Sequence, residues 1–491
     1  MNTENPLPKH QRPSLLKNWL SMTGLVVVIG SMFSFFLLFM MDLFSHNPNP
    51  YVGILTWFVA PAFFFLGAFL TIVGALWERR KLGAMVGPLL PKLVVDLTRP
   101  RDRKIMAIFL TCTVLFLLVS AVGSYHTYHF TESTTFCGQA CHTVMEPEMV
   151  TYQHGSHARV SCTECHIGPG ATWFVKSKLS GTYQLYATAF NKYPRPVPTP
   201  IKNLRPAQDT CEQCHWPEKF VGDLDRTYNY FLSDEENTPY TLRMTMKVGG
   251  ADPTRGPVGG IHWHMNVGNK VEYYAEDPLR LKIPWVRMTD SQGVVTIFTS
   301  PGFTNEVDPS AIRTMDCMDC HNRPAHRYKT PSQAVNLAMS LGQIDRAIPS
   351  IKANAVEVLT AEYETKEEAL EGIATSLVEA YPEDSRVRPV IDVVQGIYSR
   401  NFFPAMKADW RAYPDHIGHQ QWPGCFRCHD GEHSTVDGRR TIAANDCNSC
   451  HTILAQGSGA ELRQLTLEGQ PFKHPGEDVE GLCTDCHDGT F

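Results

Sequence analysis

Three long apolar stretches open the chain, roughly Trp19–Leu43, Val52–Trp77 and Ile105–Tyr125, free of charge apart from Asp42 at one edge. Each matches the ~20 residues a helix needs to cross a hydrocarbon core of about 30 Å. Lys9, Arg12 and Lys17 precede the first stretch, the loop Asp42–Tyr51 has no Lys or Arg, and Glu78–Lys104 carries eight bases against three acids. The excess of Lys and Arg on inner loops then predicts a cytoplasmic N-terminus and everything after the third stretch on the outer side. No small-residue cleavage site follows the first stretch, and Phe33, Phe35 and Phe36 extend its apolar run, so it reads as an uncleaved anchor. Beyond the anchor the pattern shortens. Tyr240–Val248, Lys270–Tyr274 and Val294–Thr299 read as strands, with a turn at Asp290–Gly293, and Ser332–Leu341 and Lys366–Tyr381 carry helical spacing.

The cysteines change the picture. Of 15, 14 fall in seven pairs, each followed at once by histidine, and only Cys112, in an apolar run, is left over. Six pairs are C-x-x-C-H: Cys162, Cys165 and His166; Cys211, Cys214 and His215; Cys317, Cys320 and His321; Cys425, Cys428 and His429; Cys447, Cys450 and His451; Cys483, Cys486 and His487. The first, Cys137, Cys141 and His142, has one extra residue between its thiols. Two thiols add to the vinyl groups of one haem, and the adjacent His ligates its iron from one face. A disulfide framework needs no His after every second Cys, and separate zinc sites are an uneconomical account of all seven motifs. The sequence thus predicts seven covalently bound c-type haems, with iron as the metal.

A low-spin electron-transfer haem needs a second axial ligand. The distal candidates chosen by position are His157, His264, His326, His419, His433 and His474, with Met145 for the first haem; each is otherwise a surface or core residue. His262 and His264 would point the same way if Gly260–Met265 is extended, so either could serve. The pairing of distal ligands with haems stays open, as does whether His142, Met145 or both ligate the first haem.

The fold class expected is mainly α with little regular structure: three transmembrane helices, then a periplasmic seven-haem c-type region with a small strand-rich insert. The segments are a cytoplasmic tail (1–17), the anchor (18–126), a membrane-proximal segment with haems 1–3 (127–216), the strand-rich haem-free insert (217–316), the haem 4 segment (317–330), a helical segment (331–411) and a terminal three-haem segment (412–491). Pro194, Pro196, Pro198 and Pro200 form a stiff connector.

Cys137–Trp216, directly after a membrane stretch, resembles the NapC/NirT family of membrane-anchored multihaem quinol dehydrogenases. The resemblance rests on Cys137–His142, Met145, the approach from His157 to Cys162, Cys162–His166 and the basic, aromatic run Trp173–Tyr186. The layout of three spans and seven haems is similar to the inner-membrane cytochromes of ImcH type from metal-respiring bacteria. The family implies a Met ligand at the first haem and a quinol pocket lined by a Lys, here Lys178 or Lys176, with a nearby carboxylate. This chain departs from it: Met145 lies three positions past His142, and no Asp or Glu occurs between Glu164 and Asp209. Gln184 can hydrogen-bond a quinol but cannot take its proton, so water or a residue elsewhere must accept protons. Each Lys also suits an interfacial anchor.

The leading expectation is a quinol dehydrogenase of the inner membrane, with menaquinol or another quinol as substrate, passing electrons to periplasmic c-type cytochromes in anaerobic respiration. An electron-transfer subunit docked to another membrane enzyme, without its own quinol site, is the alternative, and a terminal reductase of a small inorganic substrate is a third. Net charge is −6, and eleven acids against four bases follow His429, either a plain solvated face or a field that steers a basic partner. Nothing suggests nucleic acid. The quinone, the direction of flow, the terminal acceptor and the oligomeric state are not legible in the sequence.

Overall fold

The computed structural model describes residues 15–44, 55, 59–82, 97–139, 142–201, 204–250, 259–266, 268–442, 447–476, 479 and 481–490. The tail before Leu15, much of 45–58, all of 83–96 and Cys141 lie outside these, as do the side chains of His142 and Cys447. The chain divides into two compact units, Met1–Ser133 with Ile167–Gly181, and Thr134–His166 with Thr182–Phe491.

The first unit holds helices α1 (Trp19–Phe44), α2 (Ala60–Leu82) and α3 (Pro100–Thr131). Among the described residues, Trp19–Met40 and Ala60–Lys81 are long and apolar enough to cross a membrane. Small residues let α1 and α2 close on one another. A Cβ at Gly67 would stand 2.8 Å from the Gly24 carbonyl oxygen and 2.8 Å from the Val28 nitrogen. Ser21 Oγ donates to the Thr71 carbonyl at 3.1 Å and Asn18 Nδ2 to the Gly74 carbonyl at 3.1 Å. Both are contacts that lipid tails cannot supply, which is why small and hydroxyl residues suit this seam.

In the second unit, short helices α4 (Thr134–Gln139), α5 (His142–Gln153), α6 (Cys162–His166) and α8 (Ala207–Cys211) carry or flank the first three motifs; α7 (Ala171–Ala189) belongs to the first unit as far as Gly181 and to the second from Thr182. The apolar core gathers elsewhere, around α9 (Pro331–Ser340), α10 (Ile351–Thr360), α11 (Lys366–Ala380) and α12 (Val387–Asn401). Thr330 opens α9 with a capping box to Gln333 and Pro331 in the first turn; Thr365 caps α11 by accepting the Glu368 N–H at 3.1 Å. Val335, Ile351, Ile373, Leu377 and Val394 are fully buried between these helices.

Two antiparallel sheets occupy the strand-rich stretch. One has the order β5 (Val295–Thr299), β4 (Trp285–Thr289), β3 (Lys270–Tyr274), β6 (Arg313–Thr314). The other is β1 (Leu224–Phe231), β2 (Pro239–Met246) and β7 (His451–Gly457). Because β7 begins at the histidine of the sixth motif, the stretch does not close on itself: it pairs with the terminal segment, Met246 opposite His451. Gly260–Met265 is not extended. Ile261–Met265 is a 3₁₀ turn, entered through Gly260 at φ 101°, where a Cβ would stand 3.1 Å from the Gly249 carbonyl oxygen.

Candidate functional site: paired histidines at the haem motifs

Among the described residues, five motifs, the second to fifth and the seventh, are each one helical turn. The N–H of His321 bonds the Cys317 carbonyl at 2.8 Å; His215 to Cys211 (2.8 Å), His429 to Cys425 (3.0 Å) and His487 to Cys483 (2.8 Å) repeat the bond. Such a turn sets residues i, i+3 and i+4 on one side, which is the side two thioethers and an iron ligand must share. At the fourth motif a capping box fixes the turn, Asp316 accepting the Met318 N–H at 2.8 Å and Asp319 the Asp316 N–H at 2.7 Å.

Among the described side chains, six motif histidines each face a second histidine. Ring centres are 6.1 Å apart for His215 and His157, 6.3 Å for His166 and His326, and 6.4 Å for His321 and His262. They are 5.9 Å apart for His429 and His264, 6.2 Å for His451 and His419, and 6.0 Å for His487 and His474. An imidazole nitrogen binds a transition metal at about 2.0–2.1 Å, and its ring centre lies roughly 1.1 Å further back, so two imidazoles on opposite faces of one iron stand about 6.2 Å apart. The observed separations fit that group.

The ring nitrogens agree. His157 Nδ1 donates to the Pro324 carbonyl at 3.1 Å, His326 Nδ1 to Glu148 at 2.9 Å, His264 Nδ1 to Ile261 at 3.0 Å, and His262 Nδ1 to Val248. A proton fixed on Nδ1 leaves Nε2 as the ligating nitrogen. His419, His451, His474 and His487 bury an Nδ1 without a hydrogen-bond partner among the described residues, so hydrogen bonds to that atom do not hold these rings in their pairs. Burial holds His166, His264, His321, His326, His419, His451 and His487 below the ordinary imidazole range, favouring the neutral form that binds metal.

Two of the positional expectations meet a different arrangement. His433 is 2 % exposed, with Nδ1 on the Asp430 carboxylate at 2.8 Å and Nε2 donating to the Ile283 carbonyl at 2.7 Å, so neither nitrogen is left for a metal. His262, offered only as a substitute for His264, stands beside a motif histidine of its own, as does His264. Met145 is half-buried on α5, and the sulfur of Met149, one turn on, packs against Gly138 inside the first motif. Sequence reasoning passed over Met149, although its i+4 spacing from Met145 puts both on one helix face.

The motifs also touch one another. Cys162 lies within hydrogen-bond reach of Cys137, and Cys317 of Cys211. Between the fourth and fifth motifs, Arg427 Nη2 donates to the Asp319 carbonyl at 2.7 Å, and Arg427 Nη1 meets His416 Nδ1 at 3.1 Å. Burial, helped by Arg427, pushes His416 down to about 4. Asp319 in turn accepts from Tyr273 (2.5 Å), Arg280 (2.8 Å) and Arg313 (2.8 Å).

In the membrane-associated unit, Lys178 Nζ contacts the Glu132 carboxylate at the C-terminal end of α3, with the Glu132 side chain only 11 % exposed. Lys178 also lies 4.9 Å from the Phe174 ring centre, and Lys176 lies 4.5 Å over Trp173. Two residues along a helix diverge by about 200°. The two lysines therefore have different neighbours. Gln184 is exposed.

Residues 99–197 match the N-terminal region of the NapC/NirT cytochrome c family. Over 490 residues the chain is 41 % identical to the cytochrome c-type protein ImcH of Geobacter sulfurreducens, an alignment covering 96 % of this chain and 95 % of that protein. The chain belongs to the NapC/NirT cytochromes, in the ImcH group. This cytochrome is also 33 % identical over 95 residues to the cytochrome c-type protein NrfH of Wolinella succinogenes, covering 18 % of this chain and 53 % of that protein. No solved structure matches it. It is a membrane-anchored electron-transfer protein with covalently bound haem.

Proposed function

We propose that this cytochrome holds seven haems and oxidises a quinol at the outer face of the inner membrane, passing the electrons to periplasmic c-type cytochromes in anaerobic respiration. Bound haems supply one-electron redox chemistry. The motif cysteines tether them, the paired histidines ligate them, and α3 acts as the third span.

The observation that carries the quinol reading is the Lys178–Glu132 contact. Quinol oxidation releases two electrons and two protons, so the pocket needs a group that holds the quinol oxygen and one that takes a proton. Lys178 donates to the oxygen and Glu132 receives the proton, with water taking the second. The carboxylate missing from the stretch between Glu164 and Asp209 is thus supplied by a helix earlier in the chain. At 32 residues α3 is about 48 Å long, against a hydrocarbon core of about 30 Å, so its end reaches the interfacial depth where a quinol head group lies. Lys176, over Trp173, serves as an interfacial anchor.

The test is Glu132→Gln and Lys178→Ala in the full-length protein. General-base catalysis contributes roughly 10²–10⁴-fold, so each variant should slow quinol-driven haem reduction at least tenfold while dithionite still reduces every haem. Unchanged quinol-driven rates in both would remove the pocket from this place.

A further inference from the structure

We propose that the single 3₁₀ turn Ile261–Met265 ligates two haems at once, His262 giving the sixth ligand at Cys317–His321 and His264 at Cys425–His429, with His433 ligating none. The inference rests on the haem-carrying part of the reading above and is independent of the quinol pocket.

Backbone geometry comes first. On an extended strand, residues i and i+2 point the same way and would compete for one iron. A 3₁₀ helix advances about 120° per residue, so the same two side chains diverge by about 120°. His262 and His264 use that divergence: one ring reaches His321 at 6.4 Å and the other His429 at 5.9 Å. Each fixes Nδ1 on a backbone carbonyl, Val248 and Ile261, and so presents Nε2.

The turn is anchored between them. Trp263 packs on the buried cluster of Val271, Tyr273 and Phe298, and the Ile261 N–H bonds the Lys247 carbonyl at 2.8 Å. Phe220 lies against His262 with ring centres 4.4 Å apart. The two targets are already adjacent, because Arg427 of the fifth motif donates to the backbone of Asp319 in the fourth. One short turn can therefore span both, and its rigidity fixes how the two haems sit with respect to each other.

The experiment compares His262→Ala, His264→Ala, the double variant and His433→Ala in the full-length protein, reading low-spin and high-spin haem by electron paramagnetic resonance, with covalent haem counted by mass. Each single variant at the turn is expected to convert one of seven haems to high spin, and the double variant two. His433→Ala is expected to convert none. A double variant that loses only one low-spin haem, or a His433 variant that loses one, would overturn the assignment. Should the alanine variants fail to accumulate, His262→Met and His264→Met keep an axial ligand and should each raise the midpoint potential of one haem; unchanged potentials in both would equally overturn it.

Discussion

The ring of His326 stands 6.3 Å from that of His166, while its Nδ1 bonds the carbonyl of Glu148, 178 residues earlier in the chain. The loop after the fourth motif thus reaches back to the second. Arg323 reinforces the reach with a 3.2 Å ion pair to the Glu148 carboxylate and its guanidinium 4.2 Å from the Tyr413 ring centre. His326→Ala should therefore leave the fourth haem intact and convert the second to high spin. Loss of low-spin character at the fourth haem instead, assigned by also replacing His262, would contradict this pairing.

Asp319 is 1 % exposed and is shared by two guanidinium groups and a phenol. Asp319→Asn removes the buried anion and leaves Arg280 and Arg313 facing each other without it. Breaking a buried pair by deleting one partner costs about 3–5 kcal/mol. Chemical denaturation of the detergent-solubilised variant should show a loss of that order; a loss below about 1 kcal/mol would mean that water compensates the arginines.

Lys352 is 3 % exposed, its ammonium donates to the Phe231 carbonyl, and burial holds it at about 8 rather than the ordinary 10.5. The folded state releases this proton first. Between about pH 8 and 10.5 the unfolded chain holds more protons, so this group's contribution makes stability rise with pH across that window, by roughly 3 kcal/mol in all. Below pH 8 both states are protonated and the full cost remains. Thermal unfolding from pH 7.5 to 10.5 should show that rise relative to Lys352→Met, which lacks the titration. Parallel profiles would show that the ammonium is solvated after all.

Gly67 faces the backbone of α1 with no room for a side chain. Gly67→Leu must push α1 and α2 apart, and overpacking of this kind costs typically 1–3 kcal/mol. The readout is faster cleavage of the anchor by protease in detergent, with haem spectra unchanged. Equal cleavage rates would place the helix contact elsewhere.

How much of this was legible in the sequence follows from the range of each interaction. The motif turns are local, and so were plain: one i to i+4 bond closes Cys317–His321, and Lys270–Tyr274 and Lys366–Tyr381 were read within a residue of the strand and helix found. Distal histidines are set by tertiary approach. His326, His157, His419 and His474 each stand beside a motif histidine, whereas His433 lies near a motif and is tied to Asp430 and Ile283. The role of His262 turned on whether Gly260–Met265 was a strand or a 3₁₀ turn, a choice made by the close approach of Gly260 to Lys247 and Gly249 and invisible to side-chain periodicity. Glu132 lies 46 residues before Lys178 and is its neighbour only through the helix end that meets it, so the contact leaves no mark in the local sequence.

The most direct test of the central claim is anaerobic stopped-flow mixing of the oxidised full-length cytochrome with a reduced menaquinone analogue, following haem absorbance. Direct quinol oxidation predicts rapid reduction of several haems, suppressed by a quinol-site inhibitor. No reduction by the quinol, in protein that dithionite reduces fully, would contradict it and leave a cytochrome fed by a partner enzyme.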